Sequence, residues 1–349
     1  MKLKSLLIGS AAVMAVSTGA AKAADAIVMA EPEPMEYVRI CDVYGTGFYY
    51  IPGTETCLAI GGYYRFQLNF ASTQMTWFAR FAPTFDVRSE NEWGTLRGFA
   101  EIEFDYGYGA FSTFAAAAGG AVTTGMGYRN TTNLNHAFIE IITASGTLRM
   151  GKSDSPYARF LGYGTGAGPS GGGVYGFANS IELSYTFSGS NGFSAIIALL
   201  QDGDTDYVPD IEGGINFAQG WGSVGAIVGY DESTGTWGAK GVFRYNAPNG
   251  SFSGGLHVFY SSGAGRYAIV NPNTAAVAPW SILAHVRGQF TATTAAFLSA
   301  QWFSDNGSFE LAGGLDIRPV TGLRVRPEVR YRTGSGTWGG WLRVDRSIP

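Results

Sequence analysis

Charge is scarce in this sequence. Asp, Glu, Lys and Arg make up 14% of the residues, against about 25% in a typical soluble domain. The formal net charge is −4 and no basic run occurs, which excludes nucleic acid as a partner. Histidine is limited to His136, His257 and His285, and cysteine to Cys41 and Cys57. With no C-x2-C motif and no His pairing, no metal, redox centre or cofactor is implied. No Gly-Lys-Ser/Thr follows the glycine clusters, so there is no phosphate loop. Beyond the N-terminus no apolar run reaches the roughly 18 residues that a spanning helix needs. Mean hydropathy is accordingly near zero, at +0.04. Proline numbers only 13 and glycine follows no three-residue period, which excludes a collagen-like chain.

Glycine and aromatic residues are abundant instead. There are 51 Gly, 23 Phe and 19 Tyr, and apolar residues make up 46% of the chain, too many for a disordered one. The first residues read as a secretory signal. Lys2 and Lys4 precede an apolar stretch from Leu6 to Val16, and Ala21-Lys22-Ala23 places small residues at a cleavage site after Ala23. Residues 1–23 are therefore expected to be a signal peptide, and the rest an exported chain. Both cysteines fall in the exported part, so a disulfide between Cys41 and Cys57 is expected.

Period two dominates the exported chain. Ile60, Tyr64, Phe66, Leu68 and Phe70 share one face, and Tyr63, Arg65, Gln67 and Asn69 the other. Leu96, Ala100, Ile102, Phe104 and Tyr106 oppose Arg97, Glu101, Glu103 and Asp105. Near the C-terminus Leu323, Val325, Val329 and Tyr331 oppose Arg324, Arg326, Glu328, Arg330 and Arg332. Such alternation marks strands with one apolar and one polar face. Sixteen segments read this way: 59–70, 76–89, 95–106, 133–143, 147–155, 179–188, 193–202, 210–218, 223–232, 239–247, 251–262, 279–291, 295–304, 307–318, 322–332 and 336–346. Each is close to the 9–11 residues, roughly, of a tilted strand crossing a bilayer. Connections alternate between short turns and long loops, the longest being 107–132, 156–178 and 263–278. Tyr106, Trp77, Tyr260, Trp280, Trp302, Tyr331 and Trp338 close the apolar faces, as in the aromatic girdles of a membrane barrel. An even strand number, short turns on one side and aromatic belts predict an all-β, 16-stranded antiparallel transmembrane barrel over 59–349. A segment 24–58 carrying the Cys41–Cys57 loop would precede it.

Residues 36–70 read EYVRICDVYGTGFYYIPGTETCLAIGGYYRFQLNF. The two cysteines, the Tyr44-Gly45-Thr46-Gly47-Phe48-Tyr49-Tyr50-Ile51-Pro52-Gly53-Thr54 stretch and Ile60-Gly61-Gly62-Tyr63 resemble the N-terminal signature of the alphaproteobacterial general porins of the Rhizobiales. Glu92 to Arg97 and Leu148 to Lys152 extend the resemblance. It implies a trimeric sixteen-stranded channel whose third external loop folds into the lumen, set in outer-membrane lipid and passing small hydrophilic solutes and ions. The chain departs from that family in two places. It ends Asp345-Arg346-Ser347-Ile348-Pro349 where relatives end in Phe. Residues 156–178 also contain no acid, so an eyelet of loop acids against Arg does not carry over.

The site of such a protein is a water-filled lumen with a narrow point and a field across it. Arg65, Arg80, Arg97, Arg324, Arg326, Arg330 and Arg343 come from the first three and last two segments, neighbours in a closed barrel. They are expected to form one basic wall attracting anions, with Glu101, Glu103, Glu328 and Asp345 interleaved. Asp154, Tyr157, Arg159, Phe160 and Tyr163 are the candidate constriction residues of the third loop. Asp202-Gly203-Asp204-Thr205-Asp206 resembles the start of a calcium loop, but position six is Tyr207 where such loops need Gly, so a solvated external loop is expected. Enzyme readings find no support: parity places His257 and His285 on polar faces as lining, and no carbohydrate cleft accompanies Glu101 and Glu103. The alternative to a channel is a non-conducting barrel with a structural or adhesive role.

Overall fold

A computed structural model describes residues 39–72, 74–108, 128–164, 173–176, 178–203 and 206–348. The expected signal peptide, residues 24–38, most of the loop after Tyr108, the middle of the third loop, Asp204, Thr205 and Pro349 lie outside the described residues.

Sixteen long strands succeed one another along the chain. They are β1 Cys57–Ala71, β2 Gln74–Asn91, β3 Gly94–Tyr108, β4 Tyr128–Thr143, β5 Gly146–Asp154, β6 Asn179–Ser188, β7 Phe193–Leu200 and β8 Asp210–Gln219. Then come β9 Gly222–Asp231, β10 Thr236–Asn246, β11 Phe252–Ser261, β12 Trp280–Thr291, β13 Thr294–Phe303, β14 Phe309–Val320, β15 Leu323–Arg332 and β16 Thr337–Ile348. Each pairs antiparallel with the next, and β16 pairs with β1, from Gly339 opposite Ala71 to Ile348 opposite Gly62. The sheet is thus closed and has no free edge. The sixteen expected segments coincide with these strands in order, with ends shifted by a few residues. The largest shift is β4, which begins at Tyr128 rather than 133, because its polar first turn Tyr128–Asn133 pairs with the end of β3.

Burial along the strands is inverted relative to a water-soluble sheet. On β6, Ser180, Glu182 and Ser184 are buried, whereas Ile181, Leu183 and Tyr185 are exposed at 55%, 46% and 38%. On β12, Ser281 and His285 are buried while Trp280, Ile282 and Val286 are exposed. Leaving this much contiguous apolar surface in water is unfavourable at about 25 cal/mol per Å². The outer face therefore belongs in hydrocarbon. At the long-loop end the rings of Trp237, Tyr260 and Trp280 succeed one another at 4.6 and 4.7 Å between centroids, and Tyr331 meets Trp338 at 4.7 Å. This belt combines apolar area with polar tips, which suits a membrane interface.

Before β1 the chain is pinned to the barrel. Cys41 and Cys57 are joined by a disulfide, with Cα atoms 6.1 Å apart. The two-residue strand Tyr49–Tyr50 pairs with Leu58 and Cys57. Phe48 is buried with both cysteines, and the Arg88 guanidinium lies 5.0 Å from its ring.

Candidate functional site

The largest buried apolar cluster lies inside the barrel and is built from two long loops laid against the inner wall. After β5 the chain turns inward through Ser155 into a single helical turn, α1 Pro156–Arg159. Pro suits the first position of a helix, whose N–H has no intrahelical partner. Tyr157, Ala158 and Leu161 are buried against wall residues Ile196, Ile227, Val242, Phe259, Leu283 and Phe303. Tyr267, Ile269 and Ala278, from the loop between β11 and β12, join the same cluster. Glycine on the wall makes the room. Gly229 and Gly238 face each other across β9 and β10. A Cβ on Gly229 would lie 2.3 Å from the Tyr267 ring, and one on Gly238 2.4 Å from the Tyr267 Cβ.

Polar wall residues fasten the loops. Glu212 accepts from the backbone N–H of Tyr157 at 2.6 Å with Oε2, and from the Tyr267 hydroxyl at 3.0 Å with Oε1. Lys240 donates through Nζ to the carbonyls of Tyr157, Ala158 and Gly162, each at 3.1 Å. An acid meets the free N–H groups at the start of α1 and a cation the free carbonyls at its end, so both sets of unpaired backbone groups are satisfied. Gln301 accepts from Val174 N–H and donates to Val174 O, both at 2.7 Å. Arg244 donates to the Tyr163 carbonyl. Arg159 donates to the Asp154 carbonyl at 3.0 Å and to Glu182 at 2.7 Å. Asp154 accepts from the Tyr163 hydroxyl. Burial and that carboxylate push the Tyr163 phenol up.

The expected constriction residues thus fall together, with one difference of direction. Tyr157 has no exposed surface and turns to the wall, because its aromatic face gains more there than beside water. Phe160 packs partly against the cluster. Sequence reasoning missed Glu212, Lys240, Arg244, Gln301 and Tyr267. The first four carry a legible signal, since each is a polar residue at an inward parity position of its strand. Tyr267 carries none. His257 and His285 lie inward as parity required, 5.5 Å apart between ring centroids. At the long-loop end the carboxylates of Asp202, Asp206 and Glu232 come within 4.8 Å of one another.

The remaining wall is a ladder of ion pairs. Arg80 binds Asp105 at 2.7 Å and also Glu103. Arg97 bridges Asp86 at 2.8 Å and Glu140 at 2.9 Å, and Arg149 reaches Glu140 at 2.7 Å. Glu101 accepts from Asn135 at 2.9 Å. From β2 to β5, then, each of these Arg pairs with at least one carboxylate, Glu140 serving both Arg97 and Arg149. From β14 through β16 to β1 the acids run short. Arg324 takes Asp316 at 2.6 Å, Arg332 takes Glu310 at 2.7 Å, and Arg330 stands 3.9 Å from the same Glu310. Arg65 and Arg326 share Asp345, at 2.7 and 2.6 Å. Arg343 donates to the Gln67 amide oxygen at 2.5 Å, and Glu328 is buried on the same face. The expected basic wall is therefore confined to these last strands and β1.

A closed sheet with an apolar exterior, a charged interior and a loop fastened inside defines a membrane-spanning β-barrel channel. A family model described as Porin subfamily matches residues 25–340. Porin Omp2b of Brucella canis is 36% identical over 389 residues, spanning 100% of both chains, and Porin Omp2b of Brucella abortus (strain 2308) is 35% identical over the same extent. The chain belongs to the Porin subfamily and is an outer-membrane porin. Among solved structures, a triple mutant of Rhodopseudomonas blastica porin superposes with a TM-score of 0.58 at 13% identity, over 83% of this chain and 100% of that one. The outer membrane channel DcaP of Acinetobacter baumannii gives 0.60 at 11% identity, over 86% and 99%. At such identities these two likenesses speak for the fold.

Proposed function

We propose that the chain is exported with loss of residues 1–23, assembles as a homotrimer in outer-membrane lipid, and lets small hydrophilic solutes and ions diffuse passively through each barrel. Residues 156–178 act as the constriction, with Asp154, Arg159, Phe160 and Tyr163 at the aperture and Tyr157 as its anchor. Arg65, Arg80, Arg97, Glu101, Glu103, Arg324, Arg326, Glu328, Arg330 and Arg343 line the path. One observation carries the reading: a fastened inner loop stands across from a wall of charged side chains, all on the polar face of a closed sheet. Fixed charges around a narrowing attract, orient and filter solutes without bond chemistry.

The test is conductance of the purified, folded protein in a planar bilayer. Closure in three equal steps is the expected result for three parallel barrels. Silence from protein that folds and migrates differently before and after heating would overturn the channel reading.

A further inference from the structure

We propose that Arg65, Arg326 and Arg343 form an oxyanion site on the inner wall, taking a carboxylate or phosphate group of a passing solute. The proposal rests on the reading of the barrel as an open channel. Register brings the three together: Arg326 lies directly opposite Arg343 across β15 and β16, and Arg65 directly opposite Asp345 across β1 and β16. Like charges in directly opposed positions repel, with Cβ atoms about 5 Å apart, so the placement costs stability unless something answers it. Asp345 answers only part. Both its oxygens are taken, one by Arg65 and one by Arg326. Arg343 has a neutral amide, Gln67, as its hydrogen-bond partner, and among the described residues no carboxylate lies within 4.0 Å of it. The Nε of Arg326 is buried without a hydrogen-bond partner among them. Glu328, two residues from Arg326 on the same face, still leaves the group with one positive charge over.

The third loop does not supply the missing acid, since 156–178 contains none. What remains is a pair of guanidinium groups with unspent N–H donors, set in a polar interior. Guanidinium forks match the paired oxygens of carboxylate and phosphate, and bind them more strongly than a point charge does. Chloride offers no such pair of oxygens.

The experiment measures chloride current through the wild-type trimer in a planar bilayer while inorganic phosphate, or separately citrate, is added. Saturable block is expected, with Arg343→Gln raising the half-blocking concentration about tenfold. Arg343→Lys, which keeps the charge and loses the fork, falls between. Arg88→Gln removes a charge on β2, where Arg88 shares Asp86 with Arg97, and is expected to shift the block by less than about twofold, because salt screens it. Heat-modifiable migration checks that each variant is folded. Block by only one of the two probes supports the site and identifies its group. Normal chloride current with no block by either overturns the site and leaves the channel standing. Equal loss in Arg88→Gln overturns it in favour of diffuse charge. Absence of any chloride current in folded wild-type protein instead overturns the channel reading itself.

Discussion

Lys240 shows how much of the interior depends on single side chains. Its ammonium has three carbonyl partners and no exposed surface. In Lys240→Met the methionine fills a similar space but leaves those carbonyls without their charged donor. Each such hydrogen bond contributes about 1.5–3 kcal/mol, enough to let α1 leave the wall. Noisier single-channel currents and passage of larger uncharged sugars are expected in liposome-swelling measurements; a quiet channel with an unchanged size limit would remove Lys240 from this role. At the other end of the chain, Cys57→Ser opens a loop that the chain-entropy argument values at roughly 3 kcal/mol. The barrel should still assemble and melt at a lower temperature. An unchanged melting point would show that the disulfide adds nothing to the buried Phe48 contact. The disulfide partners were legible from their export context. Lys240 was not, although its inward parity was, because parity says which face a residue occupies and not what meets it there.

The elements divide in the same way. All sixteen strands were legible, including β7 and β8, where alternation is weak, because the turns between membrane strands must be short on one side. The paths of the loops were not. Alternation ends at Asp154, and nothing in Ser155 to Ala178 states whether the chain turns inward. The clue lay on other strands, in two facing glycines. Gly229 and Gly238 lack side chains because Tyr267 occupies that volume. Gly238→Val puts branched carbon into it, displaces the Tyr267 ring, and removes one of the partners of Glu212. The expected outcome is a folded barrel in which the 262–279 loop is cut by added protease, while wild type resists. Equal resistance would mean that the loop finds another seat on the wall.

For the whole molecule, the decisive property is that burial is inverted, and this makes a prediction that a water-soluble fold would contradict. Leu298 sits midway along β13, 64% exposed on the outer face. On a soluble protein, replacing an exposed Leu by Arg changes stability by no more than about 0.5 kcal/mol. On the lipid face of a barrel an Arg near the bilayer midplane costs about 2–4 kcal/mol, since the guanidinium leaves water and has no carboxylate on that side to pair with. Leu298→Arg should therefore unfold at a clearly lower urea concentration when reconstituted in lipid vesicles. The inward neighbour Ser299 is the internal control. Ser299→Arg places the same charge among polar residues and water, where its cost is small. A large loss for the outward variant beside a small one for the inward variant fixes lipid outside and water inside. Equal losses would mean that the two faces see the same solvent, and the closed sheet would then be a soluble barrel with its polarity unexplained.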